Sequence, residues 1–335
     1  MVRSRWWLGG AGLAAACASL GCSGLLGLDE FTGDVDGGVA GSGGTTTGSG
    51  TATGSAGGSG GTGGEAAAGG GGGALGDWSV PQVVVELDQD GSDDDDPSFT
   101  ADGLELYFNS DRDGDPDVFR STRGDTDQPW GTPLPIQEVN TGAPETNVVV
   151  APNGLSLWFS RLVVSPGDYD IYVTTRSERS DSWNTPEVVP ELNTSHGDYP
   201  CAVTPDGHRM VLSSNRNGAD QLFETTFIQA DGVWNDPLVI LNLDQAGDNK
   251  EAWSSPYGQE LYFASNRPGG AGNFDIYLAR RATFGADFDP PQPVIGSFHT
   301  AGPDSDPWLS PALDYIMFSR GVDGSAPRQI YEAFR

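Results

Sequence analysis

One phrase occurs five times in the C-terminal three-quarters of this chain, and nothing else in the sequence restricts the fold as much. It reads TADGLELYFNSDR from Thr100 to Arg112, APNGLSLWFSR from Ala151 to Arg161, TPDGHRMVLSSNR from Thr204 to Arg216, SPYGQELYFASNR from Ser255 to Arg267 and, in degenerate form, SPALDYIMFSR from Ser310 to Arg320. Anchored on the position of Pro152, the copies fall at 101, 152, 205, 256 and 311, with spacings of 51, 53, 51 and 55 residues. A period near 50 with several short strands per unit is the signature of a β-propeller, whose blades bury their faces only against one another.

Alternation and turn chemistry divide each copy into four strands. The Pro-Asp-Gly turn or its equivalent joins a first short strand to a second, Leu104 to Ser110 in the first copy. A polar turn leads to a third strand, DVF from Asp117, DIY from Asp170, QLF from Gln221, DIY from Asp275 and QIY from Gln329. A fourth follows an aromatic-x-x-Pro phrase, at Trp130 to Pro133, Trp183 to Pro186, Trp234 to Pro237 and Phe288 to Pro291, with one more ahead of the first copy at Trp78 to Pro81. The last copy stops at Arg335 without a fourth strand, and a spare strand, Val80 to Leu87, opens the region. The N-terminal strand is therefore expected to complete the last blade and close the ring, removing its edges. The expected fold is all-β: a five-bladed β-propeller of four-stranded blades, with cores near 93–139, 145–192, 198–243, 249–296, and 304–335 plus 78–88.

The Ser/Thr-Pro-Asp-Gly, Leu-Tyr-Phe, Ser-Asn-Arg, Asp-Ile-Tyr and Trp-x-x-Pro phrases together resemble the WD40-like repeat of TolB-type propellers over nearly all of residues 77–335. The resemblance implies the fold and a bacterial envelope compartment, and it names no ligand.

Ahead of the repeats, Arg3 and Arg5 precede an apolar run from Trp6 to Leu20, the layout of a secretory signal and short for a membrane span. Ser19-Leu20-Gly21-Cys22 resembles the bacterial lipobox, which makes residues 1–22 the signal and Cys22 the candidate lipidation site. Leu20 sits one place later than the lipobox leucine, so Cys17 is a second candidate and plain cleavage near Ala16 the alternative. Under the same resemblance, Ser23 in place of an aspartate points to the outer membrane, with the lipid as the only membrane contact. Residues 23–76 are expected to be a disordered tether: from Gly37 to Gly76 they are almost only Gly, Ser, Thr and Ala, with Glu65 the single charge. Such a segment cannot bury enough apolar surface to offset the entropy of ordering. About 40 such residues reach roughly 35 Å root-mean-square.

The charge balance excludes further classes. There are 47 acidic residues against 17 basic ones, a net charge of −30, and Lys250 is the only lysine. Such a surface repels phosphate backbones, so no nucleic-acid partner is expected. Three cysteines and three scattered histidines offer neither a disulfide framework nor metal-ligand spacing. A monomer without cofactor is expected, calcium being the one candidate.

Nine residues before each turn glycine, or its equivalent, stands Asp94, Glu145, Asp198, Asn249 or Asp304, and the second strands end at Arg112, Arg161, Arg216, Arg267 and Arg320. A first strand starts at the rim where its antiparallel neighbour ends. Acid and arginine should therefore meet once per blade, as structural ion pairs or as a polar ring offered to a ligand. Asn249 interrupts the acidic ring and would leave Arg267 freer than the rest. The runs Asp88 to Asp96 and Asp111 to Asp117 carry hard oxygen ligands of the kind calcium uses, without the spacing of an EF-hand. Turns and solvated faces explain them first; a weak calcium site at Asp111, Asp113, Asp115 and Asp117 is the alternative. The aromatics Trp78, Trp130, Trp183, Trp234 and Phe288, one per blade, are expected to pack between blades rather than stack on sugars. Cys201 is expected to be an inert buried thiol, and His196, His208 and His299 to lie in loops or turns.

No nucleophile elbow, phosphate loop or His-centred triad is visible. The expected function is a binding or scaffolding module that meets an envelope protein or glycan at one rim. The alternative is a glycoside hydrolase with Asp94, Glu145 and Asp198 around the channel mouth, in acid and base roles set by environment. Recurrence of the same acid beside the same arginine in nearly every blade is what a structural role predicts.

Overall fold

The computed structural model describes residues 77–335 apart from 165–166, 244–246, 295–297, 299 and 322–326. The expected signal and tether, Cys17, Cys22 and His299 lie outside the described residues. The described chain forms five antiparallel sheets and, among the described residues, no helix. The innermost strands are Asp94–Phe99, Glu145–Val150, Asp198–Val203, Asn249–Ser254 and Asp304–Leu309, each touching the next around a closed ring. Outside them lie the second strands Glu105–Ser110, Ser156–Val164, Arg209–Ser214, Glu260–Ser265 and Tyr315–Arg320, then the third strands Asp117–Thr122, Asp168–Thr175, Gln221–Ile228, Asp275–Arg280 and Gln329–Phe334. This is a five-bladed propeller.

The ring closes with the N-terminal segment. Gln82–Val83 pairs antiparallel with the last strand, Gln82 opposite Glu332 and Val83 opposite Tyr331. The Val84 N–H donates to the Ile330 carbonyl at 2.9 Å and the Ser79 N–H to the Phe334 carbonyl at 2.7 Å. The outer strands are shorter than the sequence suggests: Gln82–Val83, Leu134–Pro135, Glu187–Val188, Leu238–Val239 and Gln292–Pro293 have two residues each. Proline has no N–H to continue a ladder, and a short, proline-bearing outer strand offers little edge for another chain to pair with.

Five apolar clusters fill the seams between neighbouring blades. The repeated aromatics sit in them: Trp183 packs edge-on against Tyr107 of the preceding blade at 6.0 Å, Trp234 against Trp158 at 5.7 Å, and Trp78 against Phe298 at 5.8 Å. Trp130 and Phe288 are buried in the equivalent seams. They are therefore core, not a sugar platform.

Two features depart from the sequence reading. The run Asp88 to Asp96 is not all turn, because Asp94, Asp95 and Asp96 begin the first inner strand, the first two buried and Asp96 half-buried. Every inner strand also carries a bulge, at the slips between Asp95 and Ser98, Thr146 and Val149, Pro200 and Ala202, Lys250 and Ala252, and Ser305 and Trp308. In four of them the bulged residue is left-handed: Asp96 at φ 53°, and Asn147, Glu251 and Asp306 at 52°. Asp and Asn tolerate this region better than most residues, and a bulge re-aims the side chain it carries. Here it aims them at the channel.

Candidate functional site

On the face where the second strands end, the structure brings each rim acid to its arginine. Arg112 Nη2 donates to Asp94 Oδ1 at 2.5 Å, Arg161 Nε to Glu145 Oε1 at 2.6 Å, Arg216 Nη2 to Asp198 Oδ1 at 2.5 Å and Arg320 Nε to Asp304 Oδ1 at 2.5 Å. Arg267 is not freer than the others: its Nη2 donates to Asn249 Oδ1 at 2.6 Å and to the Leu243 carbonyl at 3.0 Å. Equivalent bonds run from Arg112 to the Leu87 carbonyl, Arg161 to Val139 and Arg216 to Leu192, at 2.6–2.7 Å. Those carbonyls end the crossover from the preceding blade, so each guanidinium ties two blades together. A one-residue difference in the phrase sets the geometry. Where it ends Ser-x-Arg, the serine hydroxyl accepts from arginine Nε, as Ser110 does from Arg112 at 2.7 Å; where it ends Ser-Arg, in blades two and five, Nε itself reaches the acid. The guanidinium planes lie over core aromatics, Arg112 over Phe119 at 4.9 Å and Arg161 over Tyr172 at 4.7 Å.

All four acid side chains in this ring are fully buried. Burial raises the Asp94 and Asp304 carboxyls above their usual range, opposed by the hydrogen bonds and charge of Arg112 and Arg320. Burial likewise lowers Arg267, whose partner Asn249 is neutral. Groups held this way brace one blade against the next.

The opposite face carries a second arginine set that the sequence reading passed over. Six residues after the start of each third-strand phrase stand Arg123, Arg176, Phe227, Arg281 and Arg335. The four arginines stack over Trp130, Trp183, Phe288 and Trp78 at 4.1–4.3 Å. Their Nε atoms donate to the turn carbonyls of Gly103, Gly154, Gly258 and Leu313. Phe227 replaces the arginine in blade three and packs on Trp234 at 5.3 Å. Glu105 joins blades one and two, accepting from Arg176 Nη2, Arg179 Nε and Tyr107 Oη at 2.7 Å each. Burial works against its charge, yet the Arg176, Tyr107 and Arg179 hydrogen bonds hold Glu105 below the usual carboxylate range. The constant six-residue offset was the signal that could have found this set.

The bulges gather a non-repeating cluster in the channel: Asp95 and Asp96 from blade one, Asn147 from blade two, Lys250 and Glu251 from blade four, Asp306 from blade five, and Arg328 from the segment before the last strand. Arg328 Nη2 pairs with Asp95, its N–H donates to Asp93 Oδ1 at 2.6 Å, and its carbonyl accepts from the Asp94 N–H at 3.0 Å. Lys250 Nζ lies 2.6 Å from Glu251 Oε1. Burial pushes Asp95 up to about 7 against the pull of Arg328, and burial together with the Asp306 charge pushes Glu251 up to about 7. Burial raises Asp96 well above its usual value, whereas Arg328 holds Asp306 below it in spite of burial. The cavity lined by Asp96, Asn147, Glu251 and Asp306 is about 30 Å³, room for ordered water.

Among the described residues no three His, Cys, Asp or Glu side chains converge to hold a metal ion, the calcium candidates Asp111, Asp113, Asp115 and Asp117 included. Asp111 Oδ1 instead accepts from the Asp93 N–H at 2.9 Å, and burial with the charges of Glu145, Asp115 and Asp113 pushes Asp117 up to about 6. Cys201 is partly buried at the bulge of blade three, and burial pushes its thiol up to about 12, which makes it a poor nucleophile. His196 is exposed in a turn, and His208 sits beside Asp206 in the turn of blade three.

A scan of family models and a comparison with curated proteins each return no match. Among solved structures, the chain is similar to a putative TolB from Agrobacterium tumefaciens, with 20% identity, 75% of this chain and 80% of that chain covered and a TM-score of 0.46. It is similar to TolB from Acinetobacter baumannii at 16% identity and a TM-score of 0.44, over 70% of this chain and 53% of that one, about half its length. A thermostable family-43 glycoside hydrolase aligns at 11% identity over 71% of this chain and 88% of that chain, with a TM-score of 0.49. At these identities the likeness bears on fold alone. The chain is a five-bladed β-propeller whose structural neighbours include TolB proteins.

Proposed function

We propose that this chain is an exported envelope protein, lipid-anchored at Cys22, whose propeller binds a protein or glycan while the Gly-rich tether gives it reach. The observation that carries the reading is the employment of all four rim acids in buried arginine braces, which leaves the non-repeating surface as the part free to recognise a partner. Part of that surface is an extension of blade two. Its second and third strands run to nine and eight residues against six for the corresponding pair in blades one, four and five, and they extend as a hairpin on the brace face. The hairpin exposes Val163 at 49% and Val164 at 58%, and beside it Tyr169 packs on Tyr199 at 5.5 Å. Exposed apolar residues beside a polar rim suit a partner surface better than solvent.

The alternative, a glycoside hydrolase using Asp94, Glu145 and Asp198, requires carboxylates that can reach substrate. Those three are buried, each on its own arginine. The experiment is capture by the mature chain from envelope extracts and on a glycan array, repeated with the Val163→Asp, Val164→Asp double variant. The expected result is specific capture by the wild type, lost in the variant at unchanged melting temperature, with no turnover of any bound glycan. Hydrolysis by the wild type that disappears in Glu145→Gln without loss of stability would instead establish the hydrolase.

A further inference from the structure

The seam between blades three and four departs from the repeat on its outer side. Phe288 stands where Trp78, Trp130, Trp183 and Trp234 stand in the other copies, a smaller ring in the same place. The loop before it is smaller too: Gly285 and Ala286 occupy the positions of Asp127 and Gln128 in blade one and of Ser180 and Asp181 in blade two. A cavity of about 570 Å³ opens there, between this loop and the segment from Leu238 to Asn242 of blade three, and it falls in the size range of ligand sites. Its walls are fixed. Phe284 in the loop lies under Arg209 at 3.8 Å and Arg281 at 4.6 Å, and the Asn242 amide donates to the Phe288 carbonyl across the seam. Arg281 Nη1 donates to Glu224 Oε2 at 3.1 Å and Nη2 lies 2.6 Å from Oε1, so these two charges are spent on each other.

The remaining chemistry of the cavity is apolar and acidic. Leu238 and Leu241 line it while 73% and 69% exposed, and apolar side chains left open in this way gain by being covered. Asp236 and Asp287 line the same cavity, both exposed and, among the described residues, in no ion pair. In a chain of net charge −30 they favour a cation and reject an anion. One wall is also a sheet edge. Leu238–Val239 is an outer strand of blade three, and the Ile240 N–H donates inward to the Leu222 carbonyl at 2.9 Å. Alternation along an antiparallel ladder then turns the Val239 N–H and carbonyl outward. Such an edge pairs with an extended chain, and the pocket beside it takes a side chain of that chain.

We propose that this groove binds an extended peptide segment of a partner protein, with an apolar side chain in the cavity against Phe288 and a neighbouring lysine or arginine on Asp236 and Asp287. The site is separate from the blade-two hairpin and does not depend on it.

The test is fluorescence-polarisation binding of capped pentapeptides to the mature chain, with Leu, Val or Phe on either side of a central Lys or Arg, and matched panels with Gln or Glu at the centre. Phe288→Trp restores the residue of the other four copies and fills the cavity in a way the fold accepts, since Trp183 already sits beneath Arg176 at 4.3 Å. The expected result is binding of the basic panel and none of the glutamate panel. Phe288→Trp should weaken that binding by at least about tenfold, the loss of one buried apolar side chain, at a melting temperature no lower than that of the wild type. Asp236→Asn with Asp287→Asn should remove the preference for Lys or Arg over Gln, worth up to about fivefold for each exposed pair. The Val163→Asp, Val164→Asp double variant should bind as the wild type does. The proposal is overturned by a wild type that binds no basic peptide, by equal binding of the glutamate panel, by a basic preference that survives the double asparagine variant, or by binding that is lost with the hairpin variant and kept in Phe288→Trp.

Discussion

Deleting residues 77–87 is expected to abolish cooperative folding of the propeller. The segment supplies the outer strand of the last blade, and it places Val84 and Leu87, both buried, in the seam between blades five and one. Full burial of such side chains contributes about 1.5–3 kcal/mol each, and Trp78 adds its packing on Phe298 and under Arg335. Together these approach the 5–15 kcal/mol that separates folded from unfolded states in ordinary domains, roughly speaking. The deletion also removes the Leu87 carbonyl that Arg112 grips and uncovers the edge of Gln329–Phe334 to other chains. Thermal melts and size-exclusion chromatography should show loss of the cooperative transition together with self-association. A monomer melting within a few degrees of the intact chain would show that the ring does not depend on this strand.

Replacing Arg216 with Met is expected to cost far more stability than the same change at Arg267, although the two arginines are nearly superimposable in their contacts. Each donates to a serine hydroxyl, to a leucine carbonyl of the preceding crossover and to an acceptor at the start of the inner strand, and each stacks on a core aromatic. The difference is the acceptor, a charged Asp198 against a neutral Asn249. Arg216→Met leaves a carboxylate buried without its counter-ion, which costs about 3–5 kcal/mol. Arg267→Met leaves an amide oxygen lacking one donor, which costs about 1–3 kcal/mol. Chemical denaturation of both variants at neutral pH checks the ordering. Equal losses would mean that the carbonyl bond and the aromatic stack, shared by both sites, supply the stability.

The repeat made the ring, the closure by the N-terminal strand and the acid–arginine meeting legible because each depends on residues that recur at constant offset. Five copies of Asp-or-equivalent and Arg, on strands that must be antiparallel, leave little freedom in where the side chains meet. The channel cluster was illegible for the opposite reason. Lys250 and Arg328 have no basic counterparts in other copies, so comparison among repeats passes over them, while Glu251 shares its bulge position with Asp96, Asn147 and Asp306. Asp95 and Asp96 sit in a run of acids that reads as a solvated turn, and only the bulge, which alternation cannot reveal, turns Asp96 inward. The second arginine set was legible in principle through its six-residue offset, but Phe227 breaks it, and Arg335 stands at the last position, where a repeat is easily read as finished.

The rim acids are proposed to serve the ring rather than chemistry or ligand. A double-mutant cycle at Asp198 and Arg216 tests this most directly, using Asp198→Asn, Arg216→Met and the pair, with unfolding free energy as the readout. The buried 2.5 Å contact predicts a coupling of about 2–3 kcal/mol, the double variant being markedly more stable than the sum of the single losses implies. Small, additive losses would contradict it and return Asp198 to the list of groups available for binding or catalysis.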